Sequence, residues 1–537
     1  MTEVSQDRLM AHMREFARRI KLSGTPEELE SFHYLQSVLD GYGYKTTLIS
    51  HDAYISLPGK ARLEVDGVTP DCITHSMSRP APEGVQGEVI FVGNAAPDSL
   101  ANRDLAGKIW LVDGIATPDI AVRARDAGAL AEIHISPTEH RYEMCVSPVW
   151  GSPSPHTLPL LPTTPIVSVN NIDGAKIRTR CQGNETVTAR LQTEVDTGWR
   201  KTPILVADLD TDDDRPFVLL SGHHDTWYFG VMDNGGANAT MLEAAHALAA
   251  QRQTLRRGLR LCFWSGHSHG RYSGSAWYAD EHWDELDRSC VAHVNVDSTG
   301  GEGATILSKS TVTSDLKHVA AQAVHAVAGS PHDGLRPNRN SDASFWGIGI
   351  PSIFGSVSTQ PPDPVTNMRN ALGWWWHTPH DLLDRIDPAN LVRDTKIVLA
   401  ALENLLQSET IPLDHAATAD ALHAELTPLD LGPAYDLTPL LDTIRTNAKT
   451  IANASPAQAN PALMQAARAL VPLNHTKGDR FTHDPALPLP PFPALDALRD
   501  LARHKHAPDR PFYEVAARQS RNRIAHALRQ AIAALNP

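Results

Sequence analysis

Short apolar runs alternate with longer helical patterns through the middle of the chain. Residues 217–220, 259–264 and 291–296 are almost wholly apolar, whereas residues 237–250 repeat apolar side chains at helical spacing. Alternation of this kind predicts an α/β fold with a mainly parallel sheet and helices on both faces. We expect the active site of such a fold to lie beyond the carboxyl ends of its strands.

The hydrophobic pattern changes at both ends of this central part, which we assign to residues 199–410. Residues 81–198 combine short β-branched runs with one helical stretch, and they are predicted to form a compact β-rich insert. The preceding residues, 1–80, are predicted to be the N-terminal part of the catalytic domain. The Ala-, Leu- and Pro-rich residues 411–537 are predicted to form a helical domain, with helices at 437–451, 461–470 and 513–535.

Charge, hydrophobic run lengths and cysteine spacing argue against several classes of protein. The chain has 537 residues with 48 basic and 62 acidic side chains, and its formal net charge of −14 offers no broad basic face for nucleic acid. No apolar run approaches the roughly 20 residues of a membrane span, and the N-terminal residues lack a secretory core. We therefore expect a cytoplasmic protein that binds neither nucleic acid nor membrane. The five cysteines show no CxxC pairing, which indicates reduced thiols rather than disulfides or a thiolate zinc site.

Histidine and aspartate recur where the predicted strands end. His223 and Asp225 follow one strand, Asp233 precedes a helix, Asp297 ends a third strand, and His377 lies in a later loop. Imidazole with carboxylate is the ligand set that borderline divalent metals prefer. Each motif alone fits a solvated loop or a helix cap, but their order together predicts a metal site. Asp225 and Asp381 are predicted to orient the metal ligands by hydrogen bonding to them, without contacting the metal.

These motifs resemble those of the co-catalytic zinc peptidases, which include bacterial leucyl aminopeptidases, glutamate carboxypeptidase II, glutaminyl cyclases and the catalytically inactive transferrin receptor. Gly222-His223-His224-Asp225, Asp233 before Asn, Asn295-Val296-Asp297 and His377-Thr378 are similar to the family motifs, as is Ser341-Asp342 before Gly349-Ile350-Pro351. The resemblance implies two zinc ions bridged by Asp233. One would also be held by His223 and Asp297, and the other by His377 and a glutamate.

That glutamate, and the adjacent glutamate that acts as general base in the family, are absent here. The corresponding segment reads Trp264-Ser265-Gly266-His267-Ser268-His269-Gly270, which is one residue longer than the family pattern. Counting from Trp264 aligns His267 and Ser268 with the pair, whereas counting back from Gly274-Ser275 aligns Ser268 and His269. Because imidazole can be a base or a ligand, we predict His267 as base and His269 as metal ligand. The opposite assignment, or two histidines that merely line an inactive pocket, stays open.

The resemblance also covers the other parts of the chain. Gly107-Lys108-Ile109 resembles the protease-associated insert, and Asp479-Arg480-Phe481 resembles the helical dimerisation domain, which implies a homodimer through the C-terminal residues.

Arg271, Tyr272 and Trp376 are predicted to bind the substrate. The function implied is a zinc-dependent hydrolase, with one or two ions, that cleaves an amide or peptide bond in a small amino-acid derivative or short peptide. The alternatives are a non-catalytic binding or scaffold protein and a glutaminyl-cyclase-like acyltransferase.

Overall fold

The computed structural model describes residues 3–183, 185–211, 215–362 and 371–536. The strands are β1 Lys45–Val65, β2 Cys72–Thr74, β3 Ala81–Phe91, β4 Ile109–Asp113, β5 Ala131–Ile135, β6 Ile166–Val169, β7 Thr188–Leu209, β8 Phe217–His223, β9 Gly258–Trp264, β10 Cys290–Asp297 and β11 Ser352–Ser356. The helices are α1 Gln6–Phe16, α2 Pro26–Gly41, α3 Pro97–Leu100, α4 Pro118–Asp126, α5 Asn171–Cys181, α6 Ala237–Ala250, α7 Ser273–Glu281, α8 Trp283–Ser289, α9 Lys317–Ala328, α10 Pro388–Gln407, α11 His415–Leu426, α12 Thr438–Ile451, α13 Pro456–His475, α14 Asp496–Arg503 and α15 Arg510–Ala534.

The strands form one sheet in the order β11-β10-β8-β9-β7-β3-β4-β5-β6-β2, and β1 pairs with β7. Strands β11, β10, β8 and β9 are mutually parallel, which confirms the predicted mainly parallel sheet of an α/β fold. Every residue of β8 and β9 is buried. Such strands read as continuous apolar runs because helices cover both faces of the sheet.

Two long antiparallel strands connect the catalytic half of the sheet to the insert. β1 and β7 pair from Lys45 with Asp208 to Val65 with Ala189, with an irregularity between Pro58 and Ala61. β7 pairs with β9 at one end and with β3 at the other. Buried and exposed positions alternate along part of β1, so polar side chains interrupt its hydrophobic pattern.

The insert has its own layer of parallel strands. β3, β4, β5 and β6 pair in parallel, and β2 closes the edge in the antiparallel sense. A separate apolar cluster that includes Ile109, Leu111 and Ile133 forms the interior of this part. The predicted boundaries of the insert and of the other domains stay predictions.

Helices complete the fold around the sheet. Thr25 caps the start of α2, since its Oγ1 accepts a hydrogen bond from Glu28 N and Pro26 occupies the first turn. In the C-terminal part, α13 starts five residues before the predicted position and contains Pro461 and Pro472 in its interior. The predicted helix at 461–470 is therefore confirmed, but α13 extends beyond it at both ends. Packing of α13 on α15 and α11 outweighs the hydrogen bonds lost at the prolines. No helix in the described residues has the length and apolar character to cross a membrane.

Candidate metal centre

Four side chains that lie far apart in the sequence converge at the carboxyl ends of β8 and β10. His223 Nε2 lies 3.1 Å from Asp233 Oδ1 and 3.7 Å from Asp297 Oδ1. His377 Nε2 lies 3.1 Å from Asp233 Oδ2, the other oxygen of the same carboxylate. The structure therefore brings together all four residues that the resemblance implied as ligands, with Asp233 between the two histidines.

Local packing explains why these residues meet. β10 pairs directly with β8, so the strand ends that carry Asp297 and His223 are neighbours. A Cβ at Gly222 would lie 2.6 Å from the carbonyl oxygen of Val296, so only glycine allows the two strands this approach. Asn234 donates from Nδ2 to the carbonyls of His223 and Val296 and thereby ties the Asp233 turn to both strands.

Hydrogen bonds orient both imidazoles toward Asp233. His223 Nδ1 lies 2.9 Å from the carbonyl oxygen of Asp225, and His377 Nδ1 lies 2.6 Å from the carbonyl oxygen of Glu143. Because a carbonyl can only accept, each Nδ1 donates, and in a neutral ring the lone pair is on Nε2. Each Nε2 faces a carboxylate oxygen, so each contact needs either a proton on Nε2 or a cation between the two atoms.

The electrostatics of the centre agree with this requirement. Burial disfavours a charge on His223, yet the carboxylates of Asp233 and Asp297 raise the pKa of its imidazole well above the usual range. Burial likewise opposes ionisation of Asp233, but hydrogen bonds to His223 and His377 lower its pKa well below the usual value. Neighbouring ligands of a tetrahedral ion with bonds of about 2.0–2.1 Å lie roughly 3.3 Å apart, so the donor atoms are spaced for a divalent cation.

Two buried aspartates hold the backbone around the ligands. Asp381 accepts hydrogen bonds from the backbone N–H groups of Met232, at 2.8 Å, and Asp233, at 3.0 Å. Asp225 accepts from the N–H groups of His267, at 3.2 Å, and Ser268, at 2.8 Å. The predicted contact of Asp225 with His223 is made by its carbonyl, while its carboxylate holds the neighbouring loop.

His267 lies beside the first ligand. Its ring stacks on the His223 ring with centroids 3.6 Å apart and an interplanar angle of 13°. One donor atom each from His223, His267 and Asp297 lie within 4.8 Å of one another. His267 Nδ1 is 2.6 Å from Asp342 Oδ2. The predicted role of His267 as general base stays a prediction.

His269 is placed differently. Its imidazole is fully buried, contacts the Trp227 ring at a centroid distance of 4.3 Å, and has Nδ1 3.0 Å from Ser23 Oγ. Burial lowers the pKa of His269 to about 4, and its Nε2 has no hydrogen-bond partner in the described residues. His269 is outside the group formed by His223, His267 and Asp297. Its predicted role as a metal ligand stays a prediction.

A cavity of about 540 Å³ opens beside the ligands. Arg271, Tyr272 and Trp376, the predicted substrate-binding residues, all line it, together with Asp233, Asp297 and His377. Part of the wall comes from the insert, through Thr117, Pro118, Met144 and Cys145. Trp376 also stacks on the His377 ring at a centroid distance of 3.4 Å, so it supports a ligand as well as the cavity wall.

Sequence reasoning gave no role to several residues that the site uses. Asp342 was noticed only as part of the Ser341-Asp342 motif, although its carboxylate is buried and contacts both His267 and Ser275. Trp227, which packs on His269 and His377, and Glu143, whose carbonyl orients His377, were not singled out. Trp227 and Glu143 carried no motif, because one acts by packing and the other through its backbone.

Comparison with known proteins agrees with this geometry. Residues 205–402, the segment with all four converging ligands, match the model of Peptidase family M28. Over these residues the chain is similar to peptidase family M28, and residues 205–402 are called the M28 domain below. The chain is similar to a probable glutamate carboxypeptidase VP8 of Zea mays, 32% identical over 84 residues, which are 15% of this chain and 12% of that protein. A probable glutamate carboxypeptidase AMP1 of Arabidopsis thaliana is 25% identical over 232 residues, 39% of this chain and 31% of that protein.

These curated relatives are matched over less than a third of their own length. Two solved structures share the fold over a larger part of the chain than these relatives match. A zinc aminopeptidase from Bacillus subtilis superposes with a TM-score of 0.59 and 19% identity, covering 76% of this chain and 97% of that structure. An aminopeptidase from Aneurinibacillus sp. strain AM-1 superposes with a TM-score of 0.56 and 21% identity, covering 75% and 94%.

Proposed function

We propose that this protein is a zinc-dependent peptidase that hydrolyses an amide bond in a short peptide or a small amino-acid derivative. The observation that carries the proposal is the position of Asp233, whose two carboxylate oxygens each lie 3.1 Å from a histidine Nε2. His223, Asp233, Asp297 and His377 would hold one or two zinc ions. A divalent cation there would polarise the carbonyl of the scissile amide and acidify a water molecule.

The cavity supports a small substrate. A volume of about 540 Å³ lies within the range of roughly 300–1,000 Å³ that small-ligand sites occupy. The aromatic walls formed by Tyr272 and Trp376 would exclude water from the peptide bond and orient the side chain next to it. Substrate would therefore enter beside the ligands, between the M28 domain and the insert residues that line the same cavity.

Arg271 is the residue best suited to bind a carboxylate of the substrate. Its side chain lines the cavity, and its buried Nε has no hydrogen-bond partner in the described part of the chain. Among the described residues its guanidinium makes one hydrogen bond, to the carbonyl of Cys145, and this bond is long at 3.5 Å. A guanidinium with free donors recognises carboxylates through paired hydrogen bonds. A free carboxylate on the substrate would satisfy these donors.

Metal content and hydrolysis together test the proposal. Purified protein is expected to bind zinc and to release amino acids from a panel of short peptides, and Asp233→Asn and Asp297→Asn are expected to lose both properties. Asp52→Asn, at an exposed position, serves as the matched control. Zinc content near zero after supplementation would refute the enzymatic proposal. It would favour the binding or scaffold alternative, which the absence of the family's glutamate pair supports.

Substrate specificity is tested separately. Arg271→Met is expected to raise KM roughly tenfold or more for peptides with a free carboxylate, since a hydrogen bond to a charged group contributes about 1.5–3 kcal/mol. The same peptides with an amidated terminus should show no such change. An equal effect on both sets would mean that Arg271 does not bind the carboxylate. The predicted homodimer and cytoplasmic location stay predictions.

A further inference from the structure

The clearest departure of this site from the expected pattern is His267, and the structure fixes which of its nitrogens is free. Asp342 Oδ2 lies 2.6 Å from His267 Nδ1, and Asp342 Oδ1 accepts a hydrogen bond from Ser275 Oγ at 2.7 Å. Asp342 is buried, and its carboxylate accepts on both oxygens. His267 Nδ1 is therefore the donor, which leaves the lone pair of a neutral ring on Nε2.

The position of His267 matches that of a ligand. His223, His267 and Asp297 each offer a donor atom within 4.8 Å of the other two, which makes three protein donors around one point. A histidine that ligates through one nitrogen and donates from the other to a carboxylate is the usual arrangement at metal centres. His223 donates to a carbonyl in the same way, so both imidazoles are held in ligating orientation.

Fewer metal-ligating atoms surround the second oxygen of Asp233, which faces His377. His377 Nε2 and Asp233 Oδ2 face each other at 3.1 Å. Within the residues that the structure describes, no further histidine, cysteine or carboxylate joins this pair to complete a second group of three. Ser268 lines the cavity nearby, but a neutral hydroxyl is a weak ligand. The two possible ion positions thus differ in the number of strong protein ligands.

We propose that His267, oriented by Asp342, is a ligand of the ion held by His223 and Asp297, and that this ion binds more tightly than one between Asp233 and His377. The inference rests on the proposed metal-dependent function. It gives His267 a role different from the general base predicted from the sequence. The two ion positions would then differ: one ion is held by three protein ligands besides Asp233, and the other keeps coordination sites open to solvent and substrate.

Zinc titration of the metal-free full-length chain tests this inference, by calorimetry and by equilibrium dialysis with elemental analysis. The wild type is expected to show one tight and one weaker binding event. His267→Ala is expected to weaken the tight event at least tenfold, and Asp342→Asn by about 10–100-fold, the usual effect of losing a carboxylate behind a ligand. His377→Ala should affect the weaker event only. His33→Ala, which removes an exposed histidine, is the matched control.

The outcomes separate this inference from the proposed function. Two events of equal affinity in the wild type, or an unchanged tight event in both His267→Ala and Asp342→Asn, would overturn the inference and leave a metal enzyme. No binding by the wild type would overturn the inference and the proposed function together. Circular dichroism and thermal melting check each variant's fold, and if His267→Ala does not fold, the isosteric Asp342→Asn decides.

Discussion

Asp381→Asn is the sharpest test of how the ligand loop is held. The carboxylate is buried, and its two oxygens accept separate hydrogen bonds from the N–H groups of Met232 and Asp233. Asparagine has the same shape but only one acceptor oxygen, so its NH₂ group must face a backbone donor. One hydrogen bond is lost, and one buried N–H at the base of the bridging carboxylate is left without an acceptor.

The size of the effect follows from the hydrogen bonding that is lost, offset by a smaller desolvation cost. A hydrogen bond to a charged group contributes about 1.5–3 kcal/mol, and an unsatisfied buried donor costs about 1–3 kcal/mol. Burial also raises the pKa of Asp381 to about 7, so the native carboxylate already carries a desolvation cost that the neutral amide avoids. We therefore expect a net loss of about 1–3 kcal/mol in the free energy of unfolding, nearer the lower bound at neutral pH.

The same change should weaken metal binding, because the Asp233 backbone loses its anchor. Removing a group behind a ligand typically lowers affinity about 10–100-fold. Denaturant unfolding of the metal-free protein and zinc titration measure the two effects separately, with Asp52→Asn as the surface control. If both the free energy of unfolding and the zinc affinity of Asp381→Asn equal those of the wild type, Asp381 does not hold this loop.

Three further predictions concern the fold that carries the site. Arg468→Met should lower the free energy of unfolding by on the order of 3–5 kcal/mol, because the buried guanidinium donates to four backbone carbonyls of the catalytic part; a loss below about 1 kcal/mol in denaturant unfolding would contradict this. Gly222→Ala should cost about 1–3 kcal/mol and lower the melting temperature, since its Cβ would press on the Val296 carbonyl; an unchanged melting temperature would show that the strands separate without penalty. Burial lowers the pKa of His75 to about 3. Below about pH 6.5 the imidazole therefore binds a proton in the unfolded chain but not in the folded chain. Stability should fall by about 1.4 kcal/mol per pH unit from this group as pH drops below 6.5, and His75→Gln should reduce that slope in unfolding measured at pH 7 and pH 5.

The proximity of His223 and Asp297 could be predicted because it depends on the order of the strands in the sheet. His223 and Asp297 end two parallel strands that pair with each other, and parallel strands that pair must present their carboxyl ends at one edge. Asp233 and His377 were assigned from the resemblance to the zinc peptidases, and the structure brings both to the same edge. Residues placed by a regular sheet are therefore accessible to sequence reasoning.

The supporting residues could not be predicted, because their contacts depend on irregular backbone. Ser341 and Asp342 both have positive φ values, of 55° and 52°, and this turn aims Asp342 at His267, 75 positions earlier. The roles of His267 and His269 stayed open for the same reason. Counting residues assumes a fixed loop path, whereas Arg271 and Tyr272 in this loop take positive φ values of 50° and 69°.

Asp225 connects the backbone of residues 267–268 to His223, so the positions of the two are coupled. Its carbonyl orients His223, while its carboxylate holds the N–H groups of His267 and Ser268. A shift of the 267–268 backbone would pull on this carboxylate, and the carbonyl of the same residue would then rotate His223 away from Asp233. The loop that lacks the family's two glutamates therefore stays anchored to the four converging residues. The chemistry of the new side chains, rather than a change in the loop's attachment, must decide what the site does.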